Sequence, residues 1–193
     1  MPRFKLMTAA ASEPVTTAEA KAQAAVFHSA DDAAIAQFVK AARECLEGET
    51  SRQYVTATWE QYFDYFPDVI EITKLPVATI ASVKYVDTAG TTQTLTVTTD
   101  YQVDYASPNR PCRIMPAYGQ VWPATREQPN AVTVNFTCGY GTGDSVPAAA
   151  KQAILMLAAH WYEHREPVAD KAQYVVPLSL QYLVNNQDWG QYG

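Results

Sequence analysis

Two histidines and a glutamate stand at metal-binding spacing near the end of a predicted helix. His160-Trp161-Tyr162-Glu163-His164 fits the H-x-x-E-H pattern, in which two imidazoles hold zinc and a glutamate acts as general base. Such a site needs a further ligand from the downstream chain, which is rich in Gln and Asn. The helix dipole alone also favours histidines in a last helical turn. We therefore predict no metal site and no cofactor, and keep a zinc hydrolase as the least favoured alternative.

A glycine-rich stretch offers a second possible chemistry, the binding of phosphate. Gly139-Tyr140-Gly141-Thr142-Gly143 precedes a predicted helix, whose amides could receive an anion. The stretch lacks the Lys-Ser/Thr pair of a nucleotide loop, so a tight strand-to-helix turn is the better interpretation. No Gly-x-Ser-x-Gly elbow occurs, and no cysteine has a histidine at a spacing typical of a nucleophile. These patterns predict that the protein is not an enzyme.

The composition is poor in charge. Only 18% of the 193 residues are charged, and 14 basic against 20 acidic residues give a net charge of −6. This balance disfavours a general nucleic-acid binder, which needs clustered Lys and Arg, and favours lasting contact with other proteins. Three cysteines without C-x-x-C spacing predict reduced, mostly buried thiols. No apolar run is long enough to span a bilayer, so we expect a soluble protein without a membrane partner, synthesised in a cytoplasm.

The helices that position these residues are marked by caps and apolar periodicity. Thr16 and Glu19 form a capping box, and Ser29 with Asp32 repeats that spacing. Gly48 is the expected stop of the second helix, and Pro147 opens the third. The predicted helices cover about 16–25, 31–47, 147–166 and, near the C-terminus, 178–186.

Alternating polar and apolar residues over about 52–138 predict an antiparallel β meander. Its last strand places Val132, Val134, Phe136 and Cys138 on one face, whereas the proline-rich stretch 108–129 predicts irregular structure. The fold class is therefore α+β, a small helical bundle with an inserted meander. We expect one domain over 1–193, with a helical core at 13–50 and 145–170, a β insertion at 52–140 and a docking segment at 171–193.

Two segments are almost free of charge and are expected to be covered by neighbouring proteins. One is 128–143, and the other is the aromatic tail after Lys171, where Asp188 is the single charged residue. From its composition alone, the tail either folds back on its own domain or docks on a partner. The proline-rich stretch combines arginines with an aromatic residue. Such a combination could bind a nucleic-acid strand. In an acidic chain the arginines are better interpreted as partners of carboxylates. The predicted subunit-interface residues are Arg110, Arg113, Trp122 and Arg126.

An ordered set of short motifs resembles the head-tail connector (adaptor) proteins of long-tailed bacteriophages and gene transfer agents, in the branch that has a β insertion. The resemblance covers about 13–168. Its pieces are Glu13–Lys21, Ala41–Glu44, Leu75-Pro76, Ile80–Tyr85, Asp100-Tyr101, Ile114, Pro116, Tyr118-Gly119, Trp122-Pro123, Asn130–Val134, Gly139–Gly141, Val146-Pro147, Lys151–Ile154 and His160–Glu163.

The resemblance implies a structural protein of the virion neck without catalytic residues. It implies a ring of usually twelve copies beneath the portal, which joins the DNA-filled head to a stopper or tail-terminator protein. DNA would pass through the ring without specific binding, and helices 31–47 and 147–166 would make much of the ring contact. A stopper or tail-completion protein is the alternative. The family's C-terminal segment reaches the portal, which gives as docking candidates Tyr174, Leu178, Leu180, Tyr182, Leu183, Trp189 and Tyr192.

Overall fold

The computed structural model describes residues 3–105 and 109–164, and these residues confirm the α+β class. The chain divides into a β unit, Met1–Ala11 with Thr56–Gly139, and a helical unit, Ser12–Val55 with Tyr140–Gly193. The predicted helix at 178–186 lies outside the described residues. In chain order the described elements are β1 (Arg3–Thr8), α1 (Thr17–Gln23), α2 (Asp32–Thr50), β2 (Ala57–Phe63), β3 (Ile70–Ile72), β4 (Val77–Val86), β5 (Thr92–Leu95), β6 (Tyr101–Asp104), β7 (Cys112–Pro116), β8 (Val132–Cys138) and α3 (Ala148–Glu163).

The β unit contains two antiparallel sheets that share one apolar core. The larger sheet has the order β1-β2-β8-β4-β5, and the smaller has the order β3-β7-β6. Residues of both sheets, among them Ile70, Ile114 and Phe136, are completely buried in the same cluster. β8 is the central strand of the larger sheet, and its side chains are buried at alternate positions, as the sequence pattern predicts.

β8 corrects the expectation that neighbouring proteins cover residues 128–143. β8 pairs on one side with β2 and on the other with β4, so the chain itself covers most of this charge-free segment. The absence of charge here is explained by burial in the middle of a sheet.

Two strands form where the sequence predicted none. Residues 3–8 form β1, which pairs with β2 so that Lys5 lies opposite Glu60. The proline-rich stretch contains β7, in which buried Cys112 and Ile114 alternate with exposed Arg113. Pairing with β3 and β6 satisfies the backbone of β7. Both strands depend on partners distant in sequence, which local patterns do not reveal.

The strands after residue 80 also differ from a simple meander. β4 and β5 form a hairpin across the turn at residues 87–90, as a meander requires. β6 then leaves the larger sheet and pairs with β7 in the smaller one.

The helical unit begins with the predicted capping box, since Thr16 and Glu19 bond each other's backbone amides at the start of α1. The repeated signature does not form a second box. Asp31 is the N-cap residue of α2, but its carboxylate accepts from the Tyr162 hydroxyl at 2.7 Å and makes no bond to the amides of the first turn. The Asp32 carboxylate accepts from Lys21 Nζ at 2.7 Å. In this unit α2 packs against α3.

α2 continues past Gly48, the predicted stop, to Thr50. Two features extend it: the Thr50 hydroxyl donates to the carbonyl of Leu46 at 2.7 Å, and Ser51 takes the left-handed C-cap conformation with φ 53°. No helix among residues 3–105 and 109–164 has the length and apolar character needed to cross a membrane.

Candidate interaction surfaces

A buried ionic cluster holds the helical unit together. Arg43 donates through Nε to Glu13 at 2.6 Å and through Nη1 to Glu47 at 2.7 Å. Burial lowers the pKa of Arg43, but its bonds and charge interactions with the two carboxylates outweigh this effect and raise the pKa. Glu47 also accepts from Gln53 Nε2 at 2.7 Å and from the backbone amide of Tyr54 at 2.9 Å. The cluster therefore joins α2 to the segments that precede α1 and β2.

The H-x-x-E-H residues end α3. The rings of His160 and His164 stack with centroids 4.6 Å apart, and His164 Nδ1 lies 3.2 Å from the carbonyl oxygen of His160. Across the described part of the chain, no three His, Cys, Asp or Glu side chains are arranged to hold a metal ion. The arrangement of the two histidines is explained by the stacking of their rings at the end of α3.

The glycine-rich stretch connects β8 to α3, and the structure explains why glycine occupies its positions. Gly139 and Gly141 adopt positive φ angles of 123° and 117°, which side-chain-bearing residues rarely tolerate. Gly143 lies against the backbone of Glu13, so that a Cβ atom would stand 2.8 Å from the carbonyl oxygen of Glu13. Backbone conformation and close packing explain the glycines of this turn.

The four residues predicted to contact neighbouring subunits lie in different surroundings. Arg110 precedes β7 and is exposed, and the sheet register places Arg113 between Glu71 and Asp104. Their role as subunit contacts stays a prediction.

Trp122 packs within its own unit and stacks on Phe66 at 4.6 Å between ring centroids. Its Nε1 donates to the carbonyl oxygen of Asp68 at 3.3 Å. The Arg126 guanidinium lies against the turn at Gly90, where a Cβ would be 2.5 Å from Nη1. These two side chains thus have evident roles inside the β unit, and their subunit contacts also stay predictions.

Two turns of the β unit form a surface that we call the loop pair, residues 96–100 and 117–121. Asp100 fixes the first turn, because its carboxylate accepts from the amide of Thr96 at 2.7 Å. The amide of Ala117 donates to the carbonyl of Asp100 at 3.0 Å and so joins the two turns. The second turn closes with a bond from Gln120 to Ala117 at 2.8 Å and has Gly119 at φ 78°.

The loop pair exposes large apolar side chains: the exposed fractions are 51% for Val97, 102% for Tyr118 and 84% for Val121. An open groove of about 300 Å³ lies beside it, lined by Tyr85, Gln93, Thr94, Leu95, Asp100, Gln120, Val121 and Pro123. Residues 88–99 and 114–125 carry no charge. Exposed apolar side chains in uncharged surroundings are typical of protein–protein interfaces.

Sequence reasoning did not identify the loop pair. The signal was present in the two charge-free runs and in the Tyr118-Gly119 turn. What the sequence did not show was that the two runs lie side by side.

A second apolar surface, the edge patch, consists of Leu6 and Met7 on β1. Their exposed fractions are 44% and 45%. The pairing of β1 with β2 shifts register between Leu6 and Thr8, which leaves Met7 without a partner residue on β2.

The cysteines and the tail complete the comparison with the sequence predictions. Cys112 and Cys138 are buried as predicted, and burial raises the pKa of the Cys112 thiol to about 11. Cys45 is exposed, so two of the three thiols are buried, which agrees with the expectation of mostly buried thiols. The portal-docking candidates lie outside the described residues: Tyr174, Leu178, Leu180, Tyr182, Leu183, Trp189 and Tyr192.

Comparisons with known proteins agree with this architecture. Residues 127–188 match the family model described as Phage gp6-like head-tail connector protein. The resemblance to head-tail connectors is confirmed. One similar solved structure is the neck of an empty gene transfer agent particle computed with C6 symmetry, with TM-score 0.78, 24% identity, and 96% of this chain and 94% of that chain covered.

Two further solved structures are similar to the chain. The virion of a native gene transfer agent particle gives TM-score 0.77 and 22% identity over 95% of this chain and 94% of that chain. The neck of the native particle computed with C12 symmetry gives TM-score 0.74 and 25% identity over 96% and 94%. No curated protein gives a significant match. The comparisons support a structural neck protein of the connector class.

Proposed function

We propose that this protein is the head-tail adaptor of a phage-like particle. In this proposal its copies, twelve by expectation, form a ring beneath the portal and join the DNA-filled head to the stopper or tail. The observation that carries the proposal is the match to the neck computed with C12 symmetry, which extends over 96% of this chain and 94% of that chain at 25% identity. The match includes both units and so supports the whole chain as a neck component.

The charge distribution supports a channel through which DNA slides without being held. Three of the 14 basic side chains form ion pairs with carboxylates of the same chain: Arg3 with Asp64, Lys21 with Asp32, and Arg43 with Glu13 and Glu47. The net charge of −6 adds a general repulsion of phosphate. A ring with these properties resists tight binding of the DNA that passes through it.

Residues 171–193 are the proposed portal-docking segment, because this tail is aromatic and nearly uncharged. A chain that ends before residue 171 should fold but fail to join portal-bearing heads in a pull-down. Binding of the truncated chain at the level of the full chain would contradict this assignment.

Deletion of the gene in a particle-producing strain tests the proposed function. We expect heads without attached tails, and restoration of tails by the intact gene. Electron cryomicroscopy of complete particles should then place the chain directly beneath the portal.

A position between the adaptor ring and the tail tube would instead identify a stopper or tail-completion protein. Absence of the chain from purified particles would contradict a structural role in the neck.

A further inference from the structure

The two apolar surfaces of the β unit lie at opposite edges of one sheet. In the order β1-β2-β8-β4-β5, the edge patch belongs to the first strand, and the loop pair begins directly after the last. Neither β1 nor β5 has a second partner strand among residues 3–105 and 109–164. Each edge therefore offers backbone groups and apolar side chains to another protein.

Leu6 of the edge patch lies on the core-facing side of β1, and Met7 stands at the register shift between Leu6 and Thr8. Leu6 lies on the same side of the strand as Phe4, because side chains two residues apart share a face. Phe4 packs edge-on against Phe136 with ring centroids 6.3 Å apart, whereas Leu6 remains 44% exposed. Arg3 binds Asp64, and the sheet register places Lys5 opposite Glu60. The patch is thus apolar and locally balanced in charge.

The loop pair has the properties of a preformed anchor. The hydrogen bonds at Thr96, Asp100 and Ala117 fix the turns that present Tyr118 and Val121. An aromatic side chain on a fixed turn loses little conformational entropy on binding and often carries much of the binding energy. Asp100 is the single charged residue of the loop pair, and its carboxylate is bonded to the amide of Thr96. The rest of the surface is uncharged, which suits an apolar partner surface such as the edge patch.

We propose that the loop pair of one copy packs against the edge patch of the next copy in the ring, so that Tyr118 and Val121 cover Leu6 and Met7. This inference rests on the proposed function, because it takes the ring as given. A ring closes through heterologous contacts, which require two different surfaces on every subunit. Two apolar surfaces at opposite edges of one sheet supply such a pair.

Disulfide trapping in assembled particles tests the contact. The exposed Cys45 is first changed by Cys45→Ser, which leaves the buried Cys112 and Cys138 as the remaining thiols. Met7→Cys and Gln120→Cys then place one thiol on each surface. After mild oxidation, the double variant should give a ladder of cross-linked species beyond the dimer on a non-reducing gel. Each single variant should give about ten-fold less cross-linked product.

The outcomes separate this contact from the proposed function. Particles that contain the double variant but yield only monomers overturn the contact, and so do dimers formed by the Gln120→Cys variant alone, which would indicate a two-fold contact. If the wild-type chain is absent from particles, the proposed function fails instead.

A second experiment removes the anchor with Tyr118→Ser and Val121→Ser. Both side chains are exposed, so the melting temperature should be unchanged while the copies of the chain per particle fall about ten-fold. Tyr65→Ser is the matched control, because Tyr65 is 70% exposed in the loop after β2 and belongs to neither surface. Normal rings on particles that lack tails would assign the loop pair to a tail-side protein and overturn the proposal.

Discussion

The two units of the chain are stabilised by different means. The β unit buries an apolar cluster in which Ile70, Ile114 and Phe136 have no exposed surface. The helical unit adds to its apolar contacts a buried arginine held between Glu13 and Glu47. Apolar burial tolerates small rearrangements, whereas a buried charge depends on each of its partners. The two units should therefore respond differently to loss of a single side chain.

Phe136→Ala should give the largest loss of stability. Phe136 is completely buried at the centre of the larger sheet, and removal of its ring leaves a cavity that lowers the free energy of unfolding by about 4 kcal/mol. Urea unfolding followed by circular dichroism measures this change. Phe136→Leu, which fills much of the space, should lose less than half as much; an equal loss would contradict packing as the cause.

Arg43→Met should lower the free energy of unfolding by about 3 kcal/mol, because two carboxylates lose their cation. Urea unfolding at pH 7 provides the measurement. Lys40→Met is the control, since Lys40 is exposed on the same helix. The additional changes Glu13→Gln and Glu47→Gln should recover stability in the Arg43→Met background. Failure to recover would show that packing of the arginine, and not charge balance, distinguishes this unit.

Gly143→Ala should lower the free energy of unfolding by about 2 kcal/mol, because the new methyl group collides with the backbone of Glu13. Gly48→Ala is the control, and it should change the free energy of unfolding in the opposite direction. Gly48 lies within α2 with open space around it, so alanine there should stabilise the protein by about 0.5 kcal/mol. Thermal or urea unfolding of both variants tests the pair, and equal shifts would contradict the close approach at Gly143.

Glu19→Gln should lower the free energy of unfolding by about 0.5 kcal/mol at pH 7. Bonds from the amide and hydroxyl of Thr16 hold the pKa of Glu19 below its ordinary value of 4.5. The carboxylate therefore contributes stability above pH 4.5 that is lost as pH falls through the lowered pKa. Unfolding at pH 7 and in acid should show that the difference from wild type disappears in acid. Glu49→Gln, at an exposed residue of α2, is the control for the loss of one negative charge at pH 7.

Tyr118→Ser should change the free energy of unfolding least, by less than about 0.5 kcal/mol, because the side chain is fully exposed. Urea unfolding of the isolated protein measures this. A larger loss would show that the loop pair contributes to the β unit's own stability, and would weaken its assignment as a surface for a neighbour.

Local sequence signals predicted the elements that depend on nearby residues. The Thr16–Glu19 capping box, the alternation in β8 and the proline before α3 were each sufficient to locate an element. β1 and β7 were missed because each becomes a strand by pairing with distant segments. The sheet order was missed for the same reason. The loop pair was missed because its two turns are distant in sequence and are joined only in the folded chain, by the bond between Ala117 and Asp100.

The chain enters the β unit twice, first through β1 and again from Thr56 to Gly139. During synthesis β1 therefore emerges early but must wait for β2, with α1 and α2 made in between. The helical unit is completed later still, when α3 emerges. A fragment that begins at Thr56 would expose the edge of β2 that β1 normally covers, and exposed edges promote aggregation. The pairing of β1 with β2 thus protects this edge of the sheet, and a shortened chain should retain β1.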